Sequence, residues 1–421
     1  MSKEEEKLHR ELYKEREKRV WDAIQLRCPD RVPVHLGLGY FPAKYAGISC
    51  DAAFYDPAKW KAASRKTILE LEPDFYRAMI GTVSGQTLDA LGTRIMKWPG
   101  HSVPATHSHQ AVEGEFMKED EYDSFLSDPS DFVVRTYLPR VFSALAPFER
   151  LPRLTRLLGT SVATSIGQLA TPDFAKALDS LRRAGEEALN WRSAMGSFDN
   201  DMATMGFPCH SVASCSAPFD VISDFLRGMR GTMIDMYRRP DKLIQACEKL
   251  LPTQVEAALT VAGASGRVFM PLHRGADGFM SLQQFETFYW PTLKKLILAL
   301  VEKGLTPCPF FEGDYTTRLE HLRELPRGKV LCHFDATDMS KAKETLRGHL
   351  CIMGNVPSSI LHVGIAQEVR DYCRKLIDVV GEDGGFILTH GSSIDEANPT
   401  NIKAMIDSTK EYGVYNRTPT K

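Results

Sequence analysis

The sequence predicts an α/β fold: a (β/α)8 barrel with extra helices at its N-terminal end. Three observations predict it. From residue 267 onward, short β-rich runs alternate five times with amphipathic helical stretches across short connections, the pattern of parallel strands joined by helical crossovers. A further apolar run, "RVPVHL" at 31–36, enters a glycine-rich turn and supplies a strand near the start. The 421 residues are 43% hydrophobic and 25% charged, a globular composition with material for one large core or two ordinary ones. An open doubly wound sheet is the alternative.

Leu8, Leu12, Tyr13, Val20, Trp21, Ile24 and Leu26 recur at helical spacing among the charges of 3–28. Pro29 stops that helix, because the residue before a proline is steered out of the helical region. We divide the chain into a helical arm, 1–28, and a single barrel domain, 29–421, with no repeat or low-complexity linker. Residues 57–71 read as helix, and 95–130 as irregular, with turn residues and an acidic run. Thr171 and Pro172 open a long periodic stretch as N-cap and first helical residue. Residues 217–259 read as two or three helices punctuated by Gly228, Gly231 and Pro240. Then come the pairs: strand 267–272 with helix 281–303, 305–311 with 315–325, 329–334 with 339–347, 350–356 with 364–380, and 384–390 with 398–413.

Composition excludes several classes. A net charge of -2 gives no global pull toward nucleic acid or anionic membrane. No apolar run approaches a membrane span, and the charged start "MSKEEEKLHRELYKEREKR" is no secretory signal, so a cytoplasmic location is expected. Nine cysteines without a CxxC pair read mainly as small buried hydrophobes. His107 and His109 fall in a loop rich in Gly, Pro, Ser and Thr. There is no GxxxxGK[ST], no dinucleotide fingerprint and no GxSxG.

Barrels carry their chemistry at the C-terminal ends of the strands. Glu312, Asp314, His333, Asp335, Cys351, Asn355 and His390 are assigned there. A carboxylate, a thiolate and an imidazole are ligand types that zinc accepts, and three protein ligands leave a fourth position open for catalysis. Zinc on Glu312, Cys351 and His390 is therefore expected, with His333 as a fourth donor or as the partner that holds Glu312. The plainer alternatives are that Cys351 packs in an apolar strand and that His390 hydrogen-bonds a backbone carbonyl.

Taken in order, "CPDRVPV", "APFDVISDFLRGMRGTMIDMYRRPDKL", "HRGADGFMSLQQFETFYWPTLKKLI", "IMGNVPSSIL" and "GGFILTHGSSIDEANPTNIKAMID" give residues 15–415 a resemblance to the uroporphyrinogen decarboxylase superfamily. The resemblance implies a (β/α)8 barrel with a deep cleft at its C-terminal face. Decarboxylases of that superfamily carry an arginine-rich segment after the first strand; here "HLGLGYFPAKY" has Lys44 as its only cation. The other branch holds cobamide-dependent methyltransferases that use zinc. Against their His-x-Cys motif, "FFEGD" puts Phe310 in the histidine place and Glu312 in the cysteine place, and His390 takes the place of a late cysteine. O-demethylating members are similar in using varied Asp/Glu, Cys and His sets.

That resemblance implies transfer of a methyl group from a methoxylated, aromatic substrate to the cobalt of a corrinoid protein, with zinc activating the ether oxygen. Asp277, His273 or His210 is expected to act as general acid. Tyr40, Met205, Phe207, Phe310 and Asn355 are expected to bind substrate, with core packing as the alternative for Met205 and Phe207. No Asp-x-His-x-x-Gly segment is present, so the cobamide is expected on a transient partner protein. The arm 3–28 and the stretch 95–130 are candidates for shaping the docking surface; a homodimer is compatible. Runner-up functions are corrinoid-to-thiol transfer, a methylamine or halide donor, decarboxylation, and a non-enzymatic tetrapyrrole carrier.

Overall fold

A computed structural model of the chain describes residues 2–77, 83–211, 213–260 and 266–415. Among these residues eight parallel strands close a (β/α)8 barrel. They are β1 (His35–Gly37), β2 (Phe75–Arg77), β3 (Ala213–Ser214), β4 (Arg267–Leu272), β5 (Thr306–Phe311), β6 (Leu331–Phe334), β7 (Cys351–Val356) and β8 (Phe386–His390). β3 through β8 form one six-stranded sheet in sequence order. β1 pairs with β2, His35 opposite Phe75 and Gly37 opposite Arg77. Two seams complete the ring. Val34 bridges Leu388, whose N–H donates to Pro33 O at 2.9 Å. Tyr76 bridges Cys209, and the His210 N–H donates to Tyr76 O at 2.6 Å.

The strands are apolar on both faces because both are covered. Outward residues such as Val268, Met270, Leu272, Phe334, Ile352, Val356 and Leu388 join the large core under the surrounding helices. Inward residues Phe75, Cys308, Leu331, Cys351, Met353 and Ile387 fill the lower barrel, as stacked layers of side chains do in this fold. Expected strands and helices of the last third recur within a residue or two, except that 315–325 winds as a 3-10 helix, Thr316–Glu324. Two widened π turns, Val133–Tyr137 and Phe285–Tyr289, run directly into Leu138-Pro139 and Trp290-Pro291. Proline has no N–H to continue the ordinary ladder. Within 95–130 a short antiparallel ribbon pairs Met96–Lys97 with Gln110–Ala111. No helix among the described residues is long and apolar enough to cross a membrane.

The N-terminal helix α1 (Lys3–Ile24) is the barrel's floor. It opens with a capping box between Ser2 and Glu5 and packs Val20, Ala23 and Ile24 against Cys308, Leu331 and Cys351. This corrects its expected part in a docking surface: it lies at the N-terminal ends of the strands, opposite the mouth. Ion pairs bolt it down. Arg19 reaches Asp74 at 2.6 Å and Asp30 at 2.6 Å, and Glu17 holds Arg267 at 2.8 Å. Asp74, wholly buried, also binds Arg31 at 2.7 Å and accepts from the Val34 N–H at 2.8 Å. Asp74→Ala should cost about 3–5 kcal/mol, because it removes a buried carboxylate shared by Arg19, Arg31 and the Val34 N–H. Urea unfolding measures this; a loss under about 1 kcal/mol would show that the seam holds without the pair.

Candidate active site at the barrel mouth

Acidic and basic side chains meet just beyond β3, β4, β5 and β6. Asp220 and Asp224 sit four residues apart, on the helix Pro218–Val221 and the π turn that continues it as Ile222–Leu226. Asp220 accepts from the backbone N–H groups of His273 at 3.0 Å and Arg274 at 3.1 Å, and from Tyr289 Oη at 2.8 Å. Asp224 takes the His273 Nδ1–H at 2.6 Å and Arg274 at 2.8 Å. His273 is thereby fixed with Nε2 turned to Glu312 Oε2, 3.8 Å away.

The Asp224 hydrogen bond raises the His273 pKa, and Asp220 and Glu312 add to it. Burial pushes the Asp220 carboxyl up to about 6. Partial burial and the nearby Asp335 carboxylate push Glu312 up as well. Asp335 is also raised by burial, while it accepts from the Gly313 N–H at 3.0 Å. An oriented imidazolium beside the half-exposed Glu312 carboxylate can deliver a proton from Nε2 to a ligand in the mouth.

The zinc set expected from the sequence does not fit. Cys351 opens β7 instead of ending it. The strand has six residues, so at about 3.3 Å per residue Cys351 lies roughly 16 Å below the strand's upper end. Burial among Cys308, Leu331 and α1 holds its thiol neutral, well above the ordinary cysteine range, whereas zinc takes the thiolate. Both nitrogens of His390 are engaged by backbone: Nε2 accepts from the Gly37 N–H at 3.0 Å and Nδ1 donates to Ser392 O at 2.7 Å. Burial pulls its pKa down to about 4. Glu312 does reach the mouth. His333 does not hold it; its Nε2 donates to His390 O at 3.0 Å and its ring lies 4.6 Å from Phe310. Among the described residues no three His, Cys, Asp or Glu side chains are grouped to hold a metal ion.

The other expected site residues separate. Phe310 lines the interior beside Phe269, ring centroids 6.3 Å apart. Asn355 lies inside and donates to Thr337 O at 2.9 Å. Tyr40 is instead buried in a side cluster with Trp60 and Trp98, its hydroxyl 2.8 Å from His109 Nδ1. Met205 packs against the outer core, and Phe207 lies under Arg16 of α1 at 4.0 Å, so both are structural. Asp277 is committed to Arg318 at 2.6 Å and to Thr317. His210 is fully enclosed; burial pulls its pKa down to about 3, so it holds no spare proton at neutral pH. Of the three expected acids, His273 is the one whose ring nitrogen faces Glu312 at the mouth.

Sequence reasoning missed Asp220 and Asp224; their spacing, one helical turn within "PFDVISDF", was the local signal for them.

Residues 208–412 match the family model described as Uroporphyrinogen decarboxylase (URO-D), a span that runs from β3 through β8. The uroporphyrinogen decarboxylase of Chlorobium phaeobacteroides is 24% identical over 185 residues, 42% of this chain and 52% of that protein. That of Francisella philomiragia is 22% identical over 184 residues, again 42% and 52%. The chain thus spans about half the length of the curated relatives it matches. Among solved structures, a methyltransferase from Methanosarcina mazei superposes with a TM-score of 0.59 at 14% identity, over 94% of this chain and 98% of that one. At that identity the likeness shows the barrel fold.

Proposed function

We propose that the mouth transfers a methyl group from the oxygen of a methoxylated substrate to the cobalt of a corrinoid carried by a partner protein. The observation that carries this is the Asp224–His273–Glu312 array at the strands' C-terminal ends. Breaking a methyl–oxygen bond leaves its electron pair on oxygen, a poor leaving group until it is protonated. His273 Nε2 is the group placed to supply that proton; Asp224 holds the ring in register, and Glu312 stabilises the charged form. Phe269 and Phe310 wall the space below with apolar surface suited to a ring. The cobamide, held by the partner, accepts the methyl group. The partner's docking face is the rim of the mouth, and the encounter is brief and small in area. Cys351 and His390 do not complete a zinc site with Glu312 at the mouth.

Porphyrinogen decarboxylation is the second reading, favoured by the family match over 208–412. Against it, the turn after β1 offers Lys44 alone, and that ammonium is tied to Glu396 O at 2.7 Å. The two readings separate in one assay. Purified protein is mixed with a reduced corrinoid protein and a panel of methyl ethers, amines, thiols and uroporphyrinogen, while cobalt absorbance and released carbon dioxide are followed. Methylated cobalt with ethers is expected. Carbon dioxide from uroporphyrinogen with unchanged cobalt would overturn the proposal.

A further inference from the structure

The helix Pro172–Met195 lies outside the span 208–412 that the family model matches. Its inner side buries Phe174, Ala177, Ser180, Ala184 and Trp191, where it packs against the helices Gly85–Leu91 and Ser143–Arg150. On the adjoining side Leu178, Leu181 and Leu189 are 44%, 43% and 64% exposed. Gly185 stands among them, with open space where a side chain would be. Positions 178, 181, 185, 189 and 192 follow one another at steps of three or four residues, so they form a single stripe along the helix. A glycine in a helix interior costs about 1 kcal/mol relative to alanine, and close approach of another backbone is a reason to keep one. The stretch leading into the helix leaves Leu154, Leu158, Val162 and Ile166 exposed as well, and its turn Ile166–Ala170 packs on the same helix. Single exposed leucines are ordinary on a protein surface; a row of them marks an interaction face.

The order of residues about Gly185 is self-complementary. Leu181 and Leu189 lie four residues to either side of it, and Leu178 and Arg192 lie seven to either side. A second copy of the helix, antiparallel across a two-fold axis at Gly185, sets Leu181 of each chain against Leu189 of the other. It sets Leu178 against the aliphatic stem of Arg192. Arg182 and Glu186 flank the stripe on one side, and the two-fold keeps that side common to both helices. At a rise of about 1.5 Å per residue, Arg182 then stands about 3 Å along the axis from the other copy's Glu186, within reach of an ion pair. In the single chain the same two groups pair with each other at 2.6 Å, and Arg182 also holds Asp179 at 2.9 Å. An anionic membrane surface is the poorer match, because Asp179 and Glu186 would meet its negative headgroups.

We propose that the stripe on Pro172–Met195 is an interface between two copies of this chain, which meet antiparallel about a two-fold axis at Gly185. Leucines form its centre, the Arg182 and Glu186 pairs its rim, and the glycine lets the two backbones approach. Leu154, Leu158, Val162 and Ile166 widen the contact toward the about 800 Å² per chain that a stable dimer buries. The proposal is independent of the reaction at the mouth.

Sedimentation velocity on the full chain tests the interface. Wild-type protein should run at twice the chain mass of 47.1 kDa and dissociate on dilution. Leu189→Glu should weaken the dimer by about a hundredfold or more, because symmetry buries the new charge twice. The fold should persist in that variant, since Leu189 is mostly exposed. Arg182→Glu or Glu186→Arg alone sets like charges together across the axis and should weaken association about tenfold, and the two exchanged in one chain should restore it. Cross-linking locates the axis. In a Cys28→Ser background, which removes an exposed cysteine, Gly185→Cys should form a disulfide-linked dimer under mild oxidation. Leu178→Cys should not, because its counterpart lies about 21 Å away along the helices, beyond the about 7 Å that a disulfide spans between Cα atoms. A monomer at every concentration, a dimer indifferent to Leu189→Glu, a charge exchange that fails to restore association, or cross-linking as ready from Leu178→Cys as from Gly185→Cys overturns the proposal. So does a monomeric wild type that floats with vesicles of anionic phospholipid.

Discussion

His273→Ala should slow methyl transfer to the corrinoid acceptor by about 10²–10⁴-fold, the contribution typical of a positioned general acid, while the unfolding midpoint moves little. His273 stands at the cleft with its side chain 38% exposed, so its loss leaves no core cavity. The pH profile distinguishes an acid from a spacer. The active form is the protonated ring, and its pKa is raised by the Asp224 hydrogen bond. Activity should therefore fall as pH rises past the raised pKa, with the alkaline limb displaced upward from that of an ordinary histidine. Asp224→Asn keeps the size of the partner and removes its charge. The alkaline fall should then shift to lower pH, with kcat affected more than KM. Glu312→Gln should act in the same direction and less, since its oxygen lies 3.8 Å from Nε2. A wild-type rate in His273→Ala, or an alkaline limb that ignores Asp224→Asn, would sink the assignment.

The second large effect is on acid stability. His35, His210, His333 and His390 are all buried with pKa values pulled below the ordinary histidine range, His390 to about 4 and His210 to about 3, chiefly by burial. In the unfolded chain each titrates near 6.5. Below that pH the unfolded state binds protons that the folded state refuses, so stability falls as pH drops from about 6.5 toward about 4. At about 1.4 kcal/mol per unit of pKa difference, His390 alone removes roughly 3 kcal/mol over that window. Above pH 7 these histidines contribute no slope. Urea midpoints measured from pH 8 to pH 4 check this. His390→Gln should flatten the curve by about one proton, because the amide offers a donor and an acceptor but does not titrate. Stability constant over that range, or an identical slope in the variant, contradicts the account.

The sequence carried most of the barrel and less of its site. Alternation from residue 267 onward put five strands and their helices in place, because each apolar run is short, covered on both faces and bounded by turn residues. The seams were not legible: Val34 with Leu388 and Tyr76 with Cys209 join segments far apart in the chain, and no local pattern specifies such neighbours. Cys351 was misplaced for a readable reason. It stands second in the run "LCIMGNV", and a parallel strand delivers only its last residues to the mouth. His390, at the end of its own run, was correctly placed at the top, yet backbone groups take both its nitrogens, a contact that depends on Gly37 of another strand. The Asp224–His273 pair also joins separate units of the fold.

The seam between β1 and β8 has a temporal consequence. Thr389 Oγ1 donates to the His35 backbone carbonyl across a separation of 354 residues. At a ribosomal rate of about 5–20 residues per second, β1 emerges roughly 20–70 s before the strand that covers its open side. During that interval its unpaired edge and the hydrophobic floor helix are available to other nascent chains. Barrel closure therefore waits for β8, and the period before it is when a holding chaperone has most to protect.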